Sequence, residues 1–204
     1  AGLSWARSDA ELDALQRRVT ELLARPLTAD AAVQLALLNN RGLQARLQDL
    51  GITEAEVVQA GRLPNPGFSF GRMTQGHEVE WERGLHLNLA RLLALPLVQQ
   101  VESRRLEQVR REVALDVLAL AADTRRAWVQ AVAAEETVRY MQQVRELADA
   151  GAELARRMEQ AGNFNKLARA REQAFYADAS LGLARAEQAQ RATRERLVRL
   201  LGLW

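Results

Sequence analysis

Cysteine is absent from the 204 residues, lysine occurs once, at position 166, and proline only at positions 26, 64, 66 and 96. Without cysteine the chain has no disulfide framework and no thiolate metal site. Histidine is nearly as scarce. His77 falls in a turn, and His86 lies four and six residues from Glu82 and Glu80 on a strand, too far apart to converge on one ion. Aromatic residues make up 5% of the chain. Trp128, Phe175 and Tyr176 among them sit at helical positions and read as packing residues. No apolar run reaches the roughly 18 residues of a spanning helix, and the first residues do not form a signal peptide. The chain opens at Ala1 rather than at methionine, which suggests a processed or trimmed start. There is no glycine-rich phosphate loop and no nucleophile with a base beside it. Glu135-Glu136 lies on a charged helix face with no cleft to shift its pKa. An enzyme is not expected, nor a cofactor or a metal.

What is abundant is charge of both signs, 28 basic against 26 acidic residues, with the basic ones almost all arginine. The two are interleaved, as in Glu102-Ser103-Arg104-Arg105-Leu106-Glu107, which is the pattern of a solvated helix face supported by (i, i+4) pairs. A phosphate-binding surface would segregate its positive charge, so nucleic acid is not an expected partner.

All four prolines precede Leu97, and from there to Trp204 nothing forces a helix to stop. Apolar or small residues recur at steps of three and four from Leu106 through Val113, Leu120, Trp128, Val138 and Leu147 to Met158. The punctuation is Gly162-Asn163, after which a second helix returns through Leu167, Ala174, Leu181 and Ala192 to Leu200. The pattern predicts a long helix over 97–161 and a return helix over 164–201. At about 1.5 Å per residue the first would span roughly 97 Å, so a compact globule is not expected. On the return helix one stripe runs through Ala174, Ala177 and Leu181 and another through Phe175, Ala179 and Leu183, enough to pack neighbours on both sides.

Before this hairpin, Ser8-Asp9-Ala10-Glu11 fits a capping box and opens an N-terminal helical segment over 1–26. Thr28 is the expected N-cap of the next helix, with Asp30 at the positive end of its dipole, and this helix is expected to run unbroken over 28–61. Gly51 marks its weakest point. Pro64-Asn65-Pro66-Gly67 then ends it, and the period changes from helical to two. Phe68 and Phe70 alternate with Ser69 and Gly71. After a turn at Thr74-Gln75-Gly76-His77, Val79, Trp81, Leu85, Leu87 and Leu89 alternate with Glu78, Glu80, Glu82, His86 and Asn88, with Arg83 falling on the apolar side. The pattern predicts a β-hairpin over 67–90, apolar on one face and acidic on the other. Two readings of it stay open. Such alternation most often marks a half-buried hairpin on a soluble core, and it also suits a pair of barrel strands with lipid on one side and water on the other, where Trp81 would sit at the membrane interface.

The stretches LTADAAVQLALLNN (27–40), AGRLPNPGFSF (60–70), AGNFNKLARAREQA (161–174) and LVRLLGL (197–203), in this order, resemble the outer membrane efflux protein family, the TolC-like channels. The family's asparagine-proline is Asn40-Arg41 here, a departure expected to let the helix run on. The resemblance implies a mainly α fold: a long antiparallel, coiled-coil-like helical hairpin with an inserted β-hairpin, one half of a TolC-like α/β-barrel protomer, over 27–204. Family members resemble two tandem copies of such a unit, and three protomers close a twelve-stranded barrel above an α-helical tunnel. One copy is present here, similar to the N-terminal half, so three chains would supply six strands and six would supply twelve.

By the same resemblance the chain is an outer-membrane exit duct component of a tripartite efflux or type I secretion system. Its helical part would lie in the periplasm, and its partners would be copies of itself, a periplasmic adaptor, an inner-membrane pump and outer-membrane lipid. Phe68, Phe70, Val79, Trp81, Leu85 and Leu87 would face lipid, and Glu78, Glu80 and Glu82 the lumen. Gly162, Asn163, Phe164, Asn165, Lys166 and Leu167 would form the tip that docks the adaptor. The competing expectation is a soluble helical-hairpin scaffold or adaptor whose strand pair covers its own core and never meets a membrane.

Overall fold

The computed structural model describes residues 9–63, 65–75, 78–86 and 88–203. The elements in order are helices α1 (Asp9–Leu23), α2 (Ala29–Asn39) and α3 (Arg41–Ala60), strands β1 (Gly67–Gln75) and β2 (Glu78–His86), and helices α4 (Leu89–Gln160) and α5 (Lys166–Leu200). The fold is mainly α, with a two-stranded antiparallel sheet inserted between helices. The residues pack as two units: one comprises Gly42–Asp116, the other the chain up to Arg41 together with the chain from Val117 onward.

In the second of these units, Thr28 caps α2 as expected, its hydroxyl oxygen accepting the Ala31 N–H at 3.2 Å. Asp30 in the first turn pairs with Arg125 of α4. Ala32, Leu35, Ala36 and Leu201 form the buried core, ringed by Val19, Leu22, Leu27, Leu120, Trp128, Leu197 and Leu203. The segment expected over 1–26 therefore packs its α1 side chains on α2. Ser8 of the expected capping box lies outside the described residues. The Trp128 indole N–H donates to the Leu27 carbonyl at 2.8 Å, so a large ring enters the core rim with its one donor satisfied. Further along, α4 and α5 meet through Val138, Met141, Leu183 and Ala186, with Ala127, Ala148, Ala155 and Ala179 also buried. Alanine at these positions lets the helices approach closely.

The helix expected over 28–61 is broken. Asn40 is extended (φ −69°, ψ 114°) between α2 and α3, while Gly51 causes no break and lies inside α3. The reason is the end of α5, which leaves its last carbonyls without helical partners. The Asn39 side-chain amide donates to the carbonyls of Leu201 (3.0 Å) and Gly202 (2.8 Å), and the Asn40 amide donates to that of Leu200 (3.0 Å). A continuous helix would not bring both asparagines to that end. The two stretches 27–40 and 197–203, remote in sequence, thus meet.

In the Gly42–Asp116 unit, Leu43, Leu47 and Thr53 of α3 and Val113 of α4 are buried. Arg46–Asp116, Arg110–Glu54 and Arg105–Glu56 ion pairs tie the two helices at 3.1, 2.9 and 3.5 Å, all exposed and each worth roughly 0–1 kcal/mol. α4 starts earlier than the expected 97–161, at Leu89. Asn88 caps it, its side-chain oxygen accepting the Arg91 N–H at 3.0 Å. Pro96 lies inside the helix, forfeiting one bond to the Leu92 carbonyl while supplying a φ that a helix already requires. The same early start shortens the hairpin expected over 67–90, because β2 ends at His86 and Leu89 is helical.

Candidate functional site

Two places gather the residues singled out in the sequence, the hairpin and the α4–α5 turn. In the hairpin the register pairs Phe68 with Leu85, Phe70 with Arg83, Arg72 with Trp81 and Thr74 with Val79. Directly opposed residues of an antiparallel pair share a face, so Phe68, Phe70, Trp81 and Leu85 lie together, and Val79 holds a position of the same parity. Gly71 opposes Glu82, Met73 opposes Glu80 and Gln75 opposes Glu78, which puts the three glutamates at positions of the other parity. Ser69 Oγ and His86 Nε2, 3.2 Å apart, mark that polar side. Leu87 lies outside the described residues.

The apolar face is uncovered. Phe68 is 73% and Leu85 67% exposed, and Phe70 and Trp81, with ring centroids 5.2 Å apart, are more than half exposed. Among the described residues the sheet has only its two strands, so each strand keeps one edge unpaired. Leu63, Leu89, Leu93 and Leu97 of the same unit are also exposed. Sequence reasoning missed one member of this face. Arg72 places its guanidinium 5.3 Å from the Trp81 ring centroid. Continuing the parity of Phe68 and Phe70 by one step would have found it.

The turn between α4 and α5 is built by backbone hydrogen bonds. Asn163 N–H donates to the Met158 carbonyl and Gly162 N–H to that of Glu159, both at 2.9 Å, with Gly162 at φ +77°. This is the double closure that a glycine after a helix permits. Asn165 then caps α5, its side-chain oxygen accepting the Ala168 N–H at 2.7 Å. Lys166 and Leu167 point into solvent, Phe164 is half-buried, and Arg169 pairs with Glu159 at 3.1 Å across the turn. Gly162 to Leu167 are thus held together on one exposed turn. Two turns back along α4, Glu153 accepts from Arg156 and Arg157, which hold its carboxyl down at about 2, and the same contact raises Arg156.

Of the two stripes expected on α5, Ala174, Ala177 and Leu181 are all exposed, while in the other Ala179 and Leu183 are buried and Phe175 is about half exposed. Phe175, expected as a packing residue, is therefore not one here, because α4 covers one side of α5 and the apolar surface is wider than that. Among the described residues no three His, Cys, Asp or Glu side chains gather to hold a metal ion, and Glu135 and Glu136 both pair with Arg139.

No protein-family model matches the chain. Among curated proteins it is similar to the cobalt-zinc-cadmium resistance protein CzcC of Cupriavidus metallidurans, 26% identical over 187 residues, which cover 88% of this chain and 43% of that protein. Among solved structures it resembles a membrane protein from Pseudomonas aeruginosa (TM-score 0.73, 20% identity, 85% of this chain and 44% of that one). It likewise resembles CusC, solved in a study of folding and transmembrane channel formation (0.71, 14%, 86% and 44%). The CmeC outer membrane channel of Campylobacter jejuni aligns at 0.70 and 16%, over 85% of this chain and 40% of CmeC. The chain spans less than half the length of each of these proteins.

Proposed function

We propose that this chain, which has the fold of one half of a TolC-like outer membrane channel protomer, is one repeat of an outer-membrane exit duct for efflux or type I secretion, with no catalytic activity of its own. The observation that carries this reading is the hairpin, whose Phe68, Phe70, Trp81 and Leu85 share an uncovered face opposite the register of Glu78, Glu80 and Glu82. In a scaffold that never meets a membrane these four side chains would cover a core, and their exposure speaks against that competitor. In a barrel they would meet lipid, and neighbouring hairpins would pair the free strand edges. No helix among the described residues is long and apolar enough to cross a membrane.

The remaining parts take roles in the same machine. Copies of the chain assemble through the free strand edges of the hairpin and through the exposed Ala174, Ala177 and Leu181 stripe of α5, which lies in the periplasm. The turn Gly162–Leu167 docks a periplasmic adaptor, which links the duct to an inner-membrane pump. Carboxylates of Glu78, Glu80 and Glu82 line the lumen and favour cationic cargo, which agrees in kind with the metals in the name of the relative CzcC. Transport through the duct is passive, and beyond that charge bias selection belongs largely to the pump.

The test is membrane insertion of the Phe68→Asp/Leu85→Asp variant in detergent-free vesicles. Insertion is expected to be lost with the circular-dichroism helix signal nearly unchanged, because both positions lie in strands and touch no helix core. Unaltered insertion would sink the barrel assignment.

A further inference from the structure

The apolar face of the hairpin carries two cations that a purely hydrocarbon-facing surface has no use for. Arg72 stands opposite Trp81 with its guanidinium 5.3 Å from the ring centroid, and Arg83 stands two residues beyond Trp81 on the same face. Across an antiparallel pair such diagonal positions hold their Cβ atoms about 7–8 Å apart, within reach of long side chains. Both arginines are exposed. Neither forms an ion pair among the described residues, and Glu82 falls on the opposite face. Their position along the strands is also ordered. The Phe68–Leu85 pair lies four residues nearer the helices than the Arg72–Trp81 pair, about 13 Å at the usual strand rise. The end of the face nearer the helices is therefore the Phe68–Leu85 pair, and the cations follow in its middle, Arg83 opposite Phe70 and Arg72 opposite Trp81, before the Thr74–Val79 pair at the turn.

We propose that Arg72 and Arg83, with Trp81 beside them, form a binding site for the phosphate of a membrane lipid headgroup at the hydrocarbon–water boundary. The proposal rests on the barrel reading above and goes beyond it by naming a lipid chemistry and its ligands. Guanidinium is the side chain suited to it, since its planar fork meets phosphate oxygens two at a time and is weakly hydrated. Tryptophan is suited to the same depth, where its ring lies among headgroups and its face holds Arg72 in place. The aliphatic stems of the arginines lie along the apolar surface while their heads reach the phosphate layer. Complementarity of charge selects the occupant: two cations with no ion pair among the described residues, on a face otherwise mainly apolar, call for an anion that itself sits on hydrocarbon.

The experiment compares binding of the full chain to vesicles of phosphatidylcholine alone and of phosphatidylcholine mixed with phosphatidylglycerol. The wild type is expected to prefer the anionic vesicles, and Arg72→Gln/Arg83→Gln to lose about thirtyfold in affinity for them while binding neutral vesicles as before. Arg72→Lys/Arg83→Lys, which keeps the charge but not the fork, is expected to fall between the wild type and the double glutamine variant, and Arg104→Gln, a helix-surface control, to keep all of the preference. An undiminished preference in the double glutamine variant overturns the proposal and leaves the barrel reading standing. Equal vesicle binding by Phe68→Asp/Leu85→Asp and wild type overturns both. Displacement of the wild type by inorganic phosphate at constant ionic strength would assign the arginines to a soluble anion and overturn the lipid assignment.

Discussion

Two glycines show how the same backbone demand differs in consequence at the residue scale. Gly162 and Gly202 both end helices at positive φ, +77° and +69°. A Cβ at Gly162 would meet nothing within 4 Å, whereas at Gly202 it would run into the Asn39 backbone carbonyl. Gly162→Ala is therefore expected to cost only the left-handed conformation, about 1–2 kcal/mol, and Gly202→Ala clearly more. Urea unfolding of the two variants checks this, and equal midpoints would refute it. Glu153 gives the pH counterpart. Its carboxyl is held near 2 in the fold against an ordinary 4.5, so the contribution is fully present above about 4.5 and lost as pH falls toward 2. Glu153→Gln is expected to unfold at lower temperature than wild type at pH 7 and to match it near pH 2. The pair is exposed, so the gap should be small and should shrink in salt.

At the scale of elements, the junction between α2 and α3 is the informative one. Asn39 and Asn40 satisfy three carbonyls at the end of α5, and the break in the helix is what lets them do so. Asn39→Ala strands the carbonyls of Leu201 and Gly202 and is expected to cost about 1–3 kcal/mol in chemical denaturation. Asn39→Asp removes the donors but keeps the shape, and should cost at least as much. The α4–α5 turn obeys the same logic from the other side, with Asn165 supplying the cap that starts α5 where α4 has been closed by Gly162. A helix end and a helix start six residues apart are thus each closed by local hydrogen bonds.

For the molecule as a whole, exposed strand edges and the uncovered Ala174, Ala177 and Leu181 stripe of α5 point toward assembly. Light scattering of the chain, first in buffer and then in mild detergent, is expected to give a larger particle in detergent, of three or six copies. A monomer in both would mean that one repeat does not close a barrel by itself. The two units, each with its own buried residues, come from a chain order in which the segment Gly42–Asp116 is inserted into the other unit.

The sequence by itself determined the element types, the turn at Gly162-Asn163, the Thr28 cap and the two-faced hairpin, because each depends on near neighbours: a period, a cap, a glycine. Alternation places Phe68, Trp81 and Glu82 on their faces without any knowledge of the rest of the chain. Tertiary structure decided what depends on distant partners. The break at Asn40 exists because the end of α5, some 160 residues on, offers carbonyls to be satisfied. Arg72 meets Trp81 only because the register pairs them, and Phe175 is exposed because one helix, α4, covers less than the apolar surface of α5. Local patterns say which face is apolar. Only packing says whether that face has been covered.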